Sequence, residues 1–121
     1  MRQTSTTLTN PSQATYPFGL PEQAITGLCA VFARHPRIEQ AILFGSRAKG
    51  TYRHNSDIDL MLTAPKLPWA EFNRVEQAID DLLLPWKVDL VLKHQIENPD
   101  LLNHIARVGI EIYPNTLGNQ Q

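Results

Sequence analysis

Asp57-Ile58-Asp59 opens a strand-like run, DIDLML. In a strand, residues two apart face the same side, so Asp57 and Asp59 project together while Ile58 and Leu60 point the other way. Adjacent carboxylates repel, and burial pushes one of them toward protonation. A divalent cation removes that conflict. Mg²⁺ takes oxygen ligands, usually one or two carboxylates together with substrate phosphates. The competing reading is a solvated acidic pair at a strand start. A second oddity is Asp89, inside the apolar run Val88-Asp89-Leu90-Val91-Leu92. A lone ionised carboxylate there is expensive unless it is coordinated, paired with Lys87 or Arg107, or turned to water on an edge strand. The third is Gly45-Ser46-Arg47-Ala48-Lys49-Gly50, directly after an apolar run. Glycine lets a backbone approach a phosphate closely, Ser46 adds a hydroxyl donor, and Arg47 and Lys49 can offset polyphosphate charge. The G-x-x-x-x-G-K-[ST] spacing of a P-loop is absent, and an ordinary glycine turn with solvated charges would read the same. Arg34, Arg37, Arg47, Lys49 and Arg53 are five of the 11 basic residues and crowd into positions 34–53, opposed only by Glu39. Together with the carboxylates they read as a basic rim beside an acidic metal site, suited to a nucleoside triphosphate.

Periodicity supplies the elements that must position these groups. Pro21 suits a first helical position, and Ile25, Leu28, Val31 and Phe32 follow at helical spacing until Pro36. Residues 38–44 end in an apolar run and read as a strand. Residues 45–55 read as a loop or short helix, and 57–62 as a second strand. Trp69, Phe72, Val75, Ile79, Leu82 and Leu83 trace one helix face, ended by Pro85. Residues 87–92 form another strand. Asn98-Pro99 is a capped helix start, Gly109 a helix stop, and IEIY at 110–113 a last short strand. The short connection between the first two strands predicts antiparallel pairing. The expected fold is therefore α/β: one small mixed sheet packed with helices.

The 121 residues predict one domain, with 42% hydrophobic residues. Residues 1–18, rich in Thr and Ser with one charge, and residues 114–121 are expected to be flexible tails around a domain at 19–113. Eleven basic against 12 acidic residues give a net charge of −1, which argues against bulk-charge binding to nucleic acid or a membrane surface. A single cysteine, Cys29, excludes an internal disulfide and a thiolate zinc cluster. No apolar run reaches the ~18 residues of a membrane span, and no signal-peptide core is present, so a cytoplasmic protein is expected.

Taken together, the spacing says more than its parts. Gly45-Ser46, ten residues, Asp57-x-Asp59, then Asp89 on a later strand resembles the DNA polymerase β-like nucleotidyltransferase superfamily. Within it, LFGSRAKGTYRHNSDIDLML and LLPWKVDLVL are similar to the minimal nucleotidyltransferase (MNT) proteins, the antitoxin halves of prokaryotic HEPN/MNT toxin–antitoxin pairs. The resemblance covers about residues 21–113. It implies a polymerase β-like fold, Mg²⁺ and ATP, and transfer of AMP to a tyrosine hydroxyl of a partner HEPN ribonuclease toxin. It also implies roles. Asp57, Asp59 and Asp89 would be the metal-binding and catalytic carboxylates, with Asp89 also receiving the proton of the attacking hydroxyl. Gly45 and Ser46 would hold the β- and γ-phosphates, assisted by Arg47 and Lys49. The chain has no room for a second domain to hold an acceptor, so the acceptor is expected on another protein, in a homo- or hetero-oligomer. Two other readings stay open: neutralisation of a partner by binding alone, and a small-molecule or nucleic-acid acceptor. Among the remaining residues, His35, His54, His94 and His104 share no ligand spacing. His54 reads as a solvated loop residue, Cys29 as core, Trp69 and Trp86 as packing or partner surface, and Tyr52 as no acceptor.

Overall fold

The computed structural model describes residues 15–114. Helix α1 (Glu22–Ala33) leads to strand β1 (Gln40–Phe44), the one-turn helix α2 (Gly45–Lys49) and strand β2 (Ile58–Thr63). Helix α3 (Trp69–Asp80), strand β3 (Val88–Leu92), helix α4 (Pro99–Val108) and strand β4 (Ile110–Tyr113) complete the domain. The sheet order is β3-β2-β1-β4. β1 is antiparallel to β2 and to β4, while β2 and β3 run parallel with α3 as the crossover. This is the mixed sheet that the alternation and the connection lengths predict. No helix among the described residues is long and apolar enough to cross a membrane.

The period-2 pattern sorts the strands into two faces. Ala41, Leu43, Ile58, Leu60 and Leu62 are fully buried against Ile25, Leu28, Phe32, Phe72 and Val75 from α1 and α3. At ~25 cal/mol per Å² of apolar surface, this layer is the main stabilising term of the domain. The opposite face carries Ile42, Phe44 and Asp59 and is covered in part by α4. Asn98 caps that helix by accepting from the Asp100 N–H at 2.9 Å, with Pro99 in the first turn. Gly109 ends it because a side chain there would collide with the Ile105 carbonyl and Ile42. Its backbone is extended rather than left-handed, so close approach is what requires glycine at this position.

One boundary moves. Residues 15–18, assigned by composition to the N-terminal tail, belong to the fold. Phe18 is buried, Tyr16 stacks on it at 5.2 Å, and the Tyr16 N–H reaches the Leu20 carbonyl. A Thr-rich neighbourhood hid two aromatic anchors, whose burial offsets the entropy of ordering four residues. The rest of both expected tails lies outside the described residues.

Candidate active site

Register places the carboxylates. Phe44 pairs with Asp59 across β1 and β2, and Asp59 pairs with Asp89 across β2 and β3. Neighbouring strands lie about 4.8 Å apart, so directly opposed residues share a face. Asp59 and Asp89 therefore stand side by side at the end of the sheet where β1 runs into α2. Asp57 lies one residue before β2 and is exposed. Burial raises the Asp59 pKa, and the negative charges of Asp89 and Asp57 raise it further, against a weaker opposite pull from Lys87. Three carboxylates thus share one field with little compensating charge.

Gly45 closes the site from the β1 side. Its φ of +76° lies in the left-handed region, and a Cβ at this position would run into the Asp59 carboxylate. Glycine is required twice over: by the turn, and by the contact that brings the α2 backbone against Asp59. Ser46 follows, half-buried, with its carbonyl accepting from the Gly50 and Thr51 N–H groups to end α2. Lys49 is exposed on the last residue of α2.

Arg47 departs from its expected role. It is 1% exposed and faces the protein interior. Its guanidinium donates to the carbonyls of Ser56 (2.9 and 3.0 Å), Phe18 (3.1 Å) and His54 (3.2 Å). The rings of Tyr52 and Trp86 cover it at 5.2 and 5.4 Å. These bonds use its planar fork to pin the 51–56 loop, which leads into Asp57, against the N-terminal segment. Arg47 is therefore a scaffold for the loop, not a phosphate ligand. The same cluster explains Trp86, whose indole N–H donates to the His54 carbonyl at 2.7 Å, and Tyr52, whose hydroxyl donates to the Pro17 carbonyl.

The basic rim also dissolves. Arg34 and Arg37 precede β1, whose five residues at ~3.3 Å each put its far end ~16 Å from Gly45. There Arg37 and His35 grip Glu71. With Arg47 interior, Lys49 and Arg53 remain of that group as exposed cations on the α2–β2 segment. Cys29 is in the core as expected. Its thiol donates to the Ile112 carbonyl at 3.0 Å, and burial pushes its pKa up to about 11. His54 is exposed on its loop.

Of the readings open for Asp89, the structure shows pairing with Lys87 at 3.5 Å on an edge strand, where the Asp89 side chain is 43% exposed. One residue near the site was not marked by spacing: His104, on α4, accepts the Gly45 N–H at its Nε2 (3.2 Å) and packs near-perpendicular to the Phe44 ring. No local pattern connects residues 59 positions apart.

Among the described residues, no three His, Cys, Asp or Glu side chains are gathered closely enough to hold a metal ion unaided. The donor set nevertheless fits Mg²⁺. Two register-paired carboxylates and a third within their field are hard oxygen donors with surplus negative charge, and Mg²⁺ ordinarily completes its shell with water and substrate phosphate.

Residues 27–116 match the family described as polymerase beta, nucleotidyltransferase. The chain belongs to the polymerase β nucleotidyltransferase family. Two proteins of Methanocaldococcus jannaschii, both named as candidate protein adenylyltransferases, are 35% and 36% identical to it over 65 and 64 residues. Those stretches cover 52% of this chain and only 65% and 64% of the relatives. Among solved structures, a toxin–antitoxin complex with AMP-PNP matches at a TM-score of 0.59 and 27% identity, over 78% of this chain and 73% of that one. A complex of the tri-AMPylated Shewanella oneidensis HEPN toxin with its MNT antitoxin shares the fold, with a TM-score of 0.56 and 19% identity over 76% and 71% of the two chains. The polymerase β-like fold that the resemblance implies is the fold observed.

Proposed function

We propose that this nucleotidyltransferase transfers AMP from ATP to a hydroxyl, most simply a tyrosine hydroxyl, on a HEPN-type ribonuclease toxin, and acts as its antitoxin. The observation that carries the reading is the row Gly45–Asp59–Asp89: a left-handed glycine turn fixed against two register-paired carboxylates. The names of the similar proteins support the adenylyl group and the toxin partner.

Each residue has a task in this reading. The Gly45 N–H and Ser46 hydroxyl hold the β- and γ-phosphates, and exposed Lys49 offsets their charge. Asp57 and Asp59, with Asp89, hold Mg²⁺, which when bound supplies charge neutralisation at the phosphates. Asp89, on the open edge of the sheet, accepts the proton of the acceptor hydroxyl. The hydroxyl oxygen attacks the α-phosphorus in line, the bond from that phosphorus to the bridging oxygen breaks, and pyrophosphate leaves. Asp57→Asn with Asp59→Asn leaves the glycine turn and Asp89 but removes two of the three carboxylates.

Intact mass of the partner toxin, incubated with this chain, ATP and Mg²⁺, tests the proposal. The expected result is a mass gain in whole AMP units that is absent with Asp57→Asn/Asp59→Asn. A tight complex with no mass gain, together with neutralisation that survives both substitutions, would establish inhibition by binding alone. Turnover of a small molecule or RNA without any protein partner would replace the acceptor.

A further inference from the structure

We propose that His104 is a built-in competitor at the triphosphate site: its imidazole occupies the place of a phosphate oxygen on the Gly45 N–H and is displaced when triphosphate binds. The inference rests on the nucleotide reading above and names a residue outside the Gly-Ser and carboxylate motifs.

The Gly45 N–H donates to His104 Nε2 at 3.2 Å. That bond requires an unprotonated Nε2, which places the neutral ring's hydrogen on Nδ1. A backbone amide has a single hydrogen, and an oxygen accepting it sits ~2.9 Å from the nitrogen. A phosphate oxygen on this N–H would therefore fall where Nε2 now lies, lone pair against lone pair. One of the two acceptors must leave. The donor cannot turn away: Gly45 is held in the left-handed region with the Asp59 carboxylate filling the space of its missing side chain. The helix behind His104 is anchored as well, by the Asn98 cap and by buried Ile105. The part that can move is the half-buried imidazole, which turns about its two side-chain torsions beside the Phe44 ring. The amide thus stays satisfied in the empty site and is given up to the ligand. The imidazole weakens triphosphate binding by the bond that must be broken, and it re-forms that bond as pyrophosphate departs.

Isotope-labelled full-length protein provides the test. Free protein should show a through-hydrogen-bond ¹⁵N–¹⁵N coupling between the Gly45 amide and His104 Nε2, and AMP-PNP with Mg²⁺ should abolish it. In calorimetric titrations, His104→Ala should bind AMP-PNP and pyrophosphate about fivefold more tightly, roughly 1 kcal/mol. AMP affinity should be unchanged, because AMP lacks the β- and γ-phosphates. His104→Gln, which restores an acceptor, should return to within about twofold of the parent. A coupling that persists in the AMP-PNP complex overturns the proposal, as does AMP-PNP binding that is equal or weaker in His104→Ala. If His104→Ala fails to fold, the coupling in the unmodified protein still decides. Should the parent chain bind neither AMP-PNP nor pyrophosphate, the nucleotide reading falls, and this inference with it. If the parent binds both and only the His104 effects are missing, this inference alone falls.

Discussion

The two ends of β1 treat carboxylates in opposite ways. At the far end, Glu71 is held by His35 at 2.8 Å and by Arg37 at 3.1 Å, and the His35 hydrogen bond leads the effects that hold its pKa below the ordinary range. At the Gly45 end, burial and the neighbouring carboxylates push Asp59 up, while the Arg47 guanidinium, carried by α2, is spent on backbone carbonyls. A carboxylate that ties the α1–β1 loop to α3 has its partners built in. Asp57, Asp59 and Asp89 have Lys87 as their one near cation among the described ion pairs, and under the proposed function a metal ion would fill that deficit.

The largest effect expected from this contrast is on transfer. Asp57→Asn with Asp59→Asn should reduce partner adenylylation by about a thousandfold or more, measured as the initial rate of mass gain. A loss of under tenfold would remove the carboxylates from the chemistry. Next comes Arg47→Ala, which takes the guanidinium donors from the Phe18 and Ser56 carbonyls and empties a buried site, and should cost about 3 kcal/mol in urea unfolding. Arg47→Lys should recover little of this, because a point charge cannot replace the fork. If Arg47→Lys instead raised the KM for ATP at full stability, Arg47 would return to the phosphate site.

Smaller effects separate the two ends by pH. Asp59 has a raised folded pKa, so its ionisation opposes folding, and metal-free stability is lost as pH rises through that value. Asp59→Asn should therefore raise the metal-free Tm at neutral pH, measured by thermal unfolding with a chelator present, and the gain should vanish in acid. Glu71 behaves in reverse. Its folded pKa is depressed, so its contribution is present above the ordinary glutamate pKa and fades as pH falls through the depressed value. Glu71→Gln should lower Tm slightly at neutral pH and flatten the acid limb of the Tm–pH curve. A matching rise in Tm for Glu71→Gln would erase the distinction between the two ends.

Much of the site was legible because its chemistry is local. Gly45-Ser46 and Asp57-x-Asp59 lie within 15 residues on consecutive elements, and the alternation in DIDLML already places the acids on a strand. Capping likewise fixed the start of α4, since Asn98 and Pro99 act on their own turn. Arg47 was misread because a Gly-bracketed basic segment looks the same whether its guanidinium turns outward or inward. The choice was made by Phe18, Tyr52 and Trp86, which no periodicity links.

The sequence by itself therefore determined the element order, the mixed sheet and the acidic and glycine motifs, because backbone stereochemistry and side-chain periodicity act over a few residues. Only the tertiary structure decided that Asp89 stands beside Asp59, that Arg47 faces inward, that the basic rim is split between two ends, and that His104 rests on the Gly45 amide. Those outcomes depend on strand register and helix packing across 30 to 60 residues, where many pairings satisfy the local pattern and cooperative burial selects one.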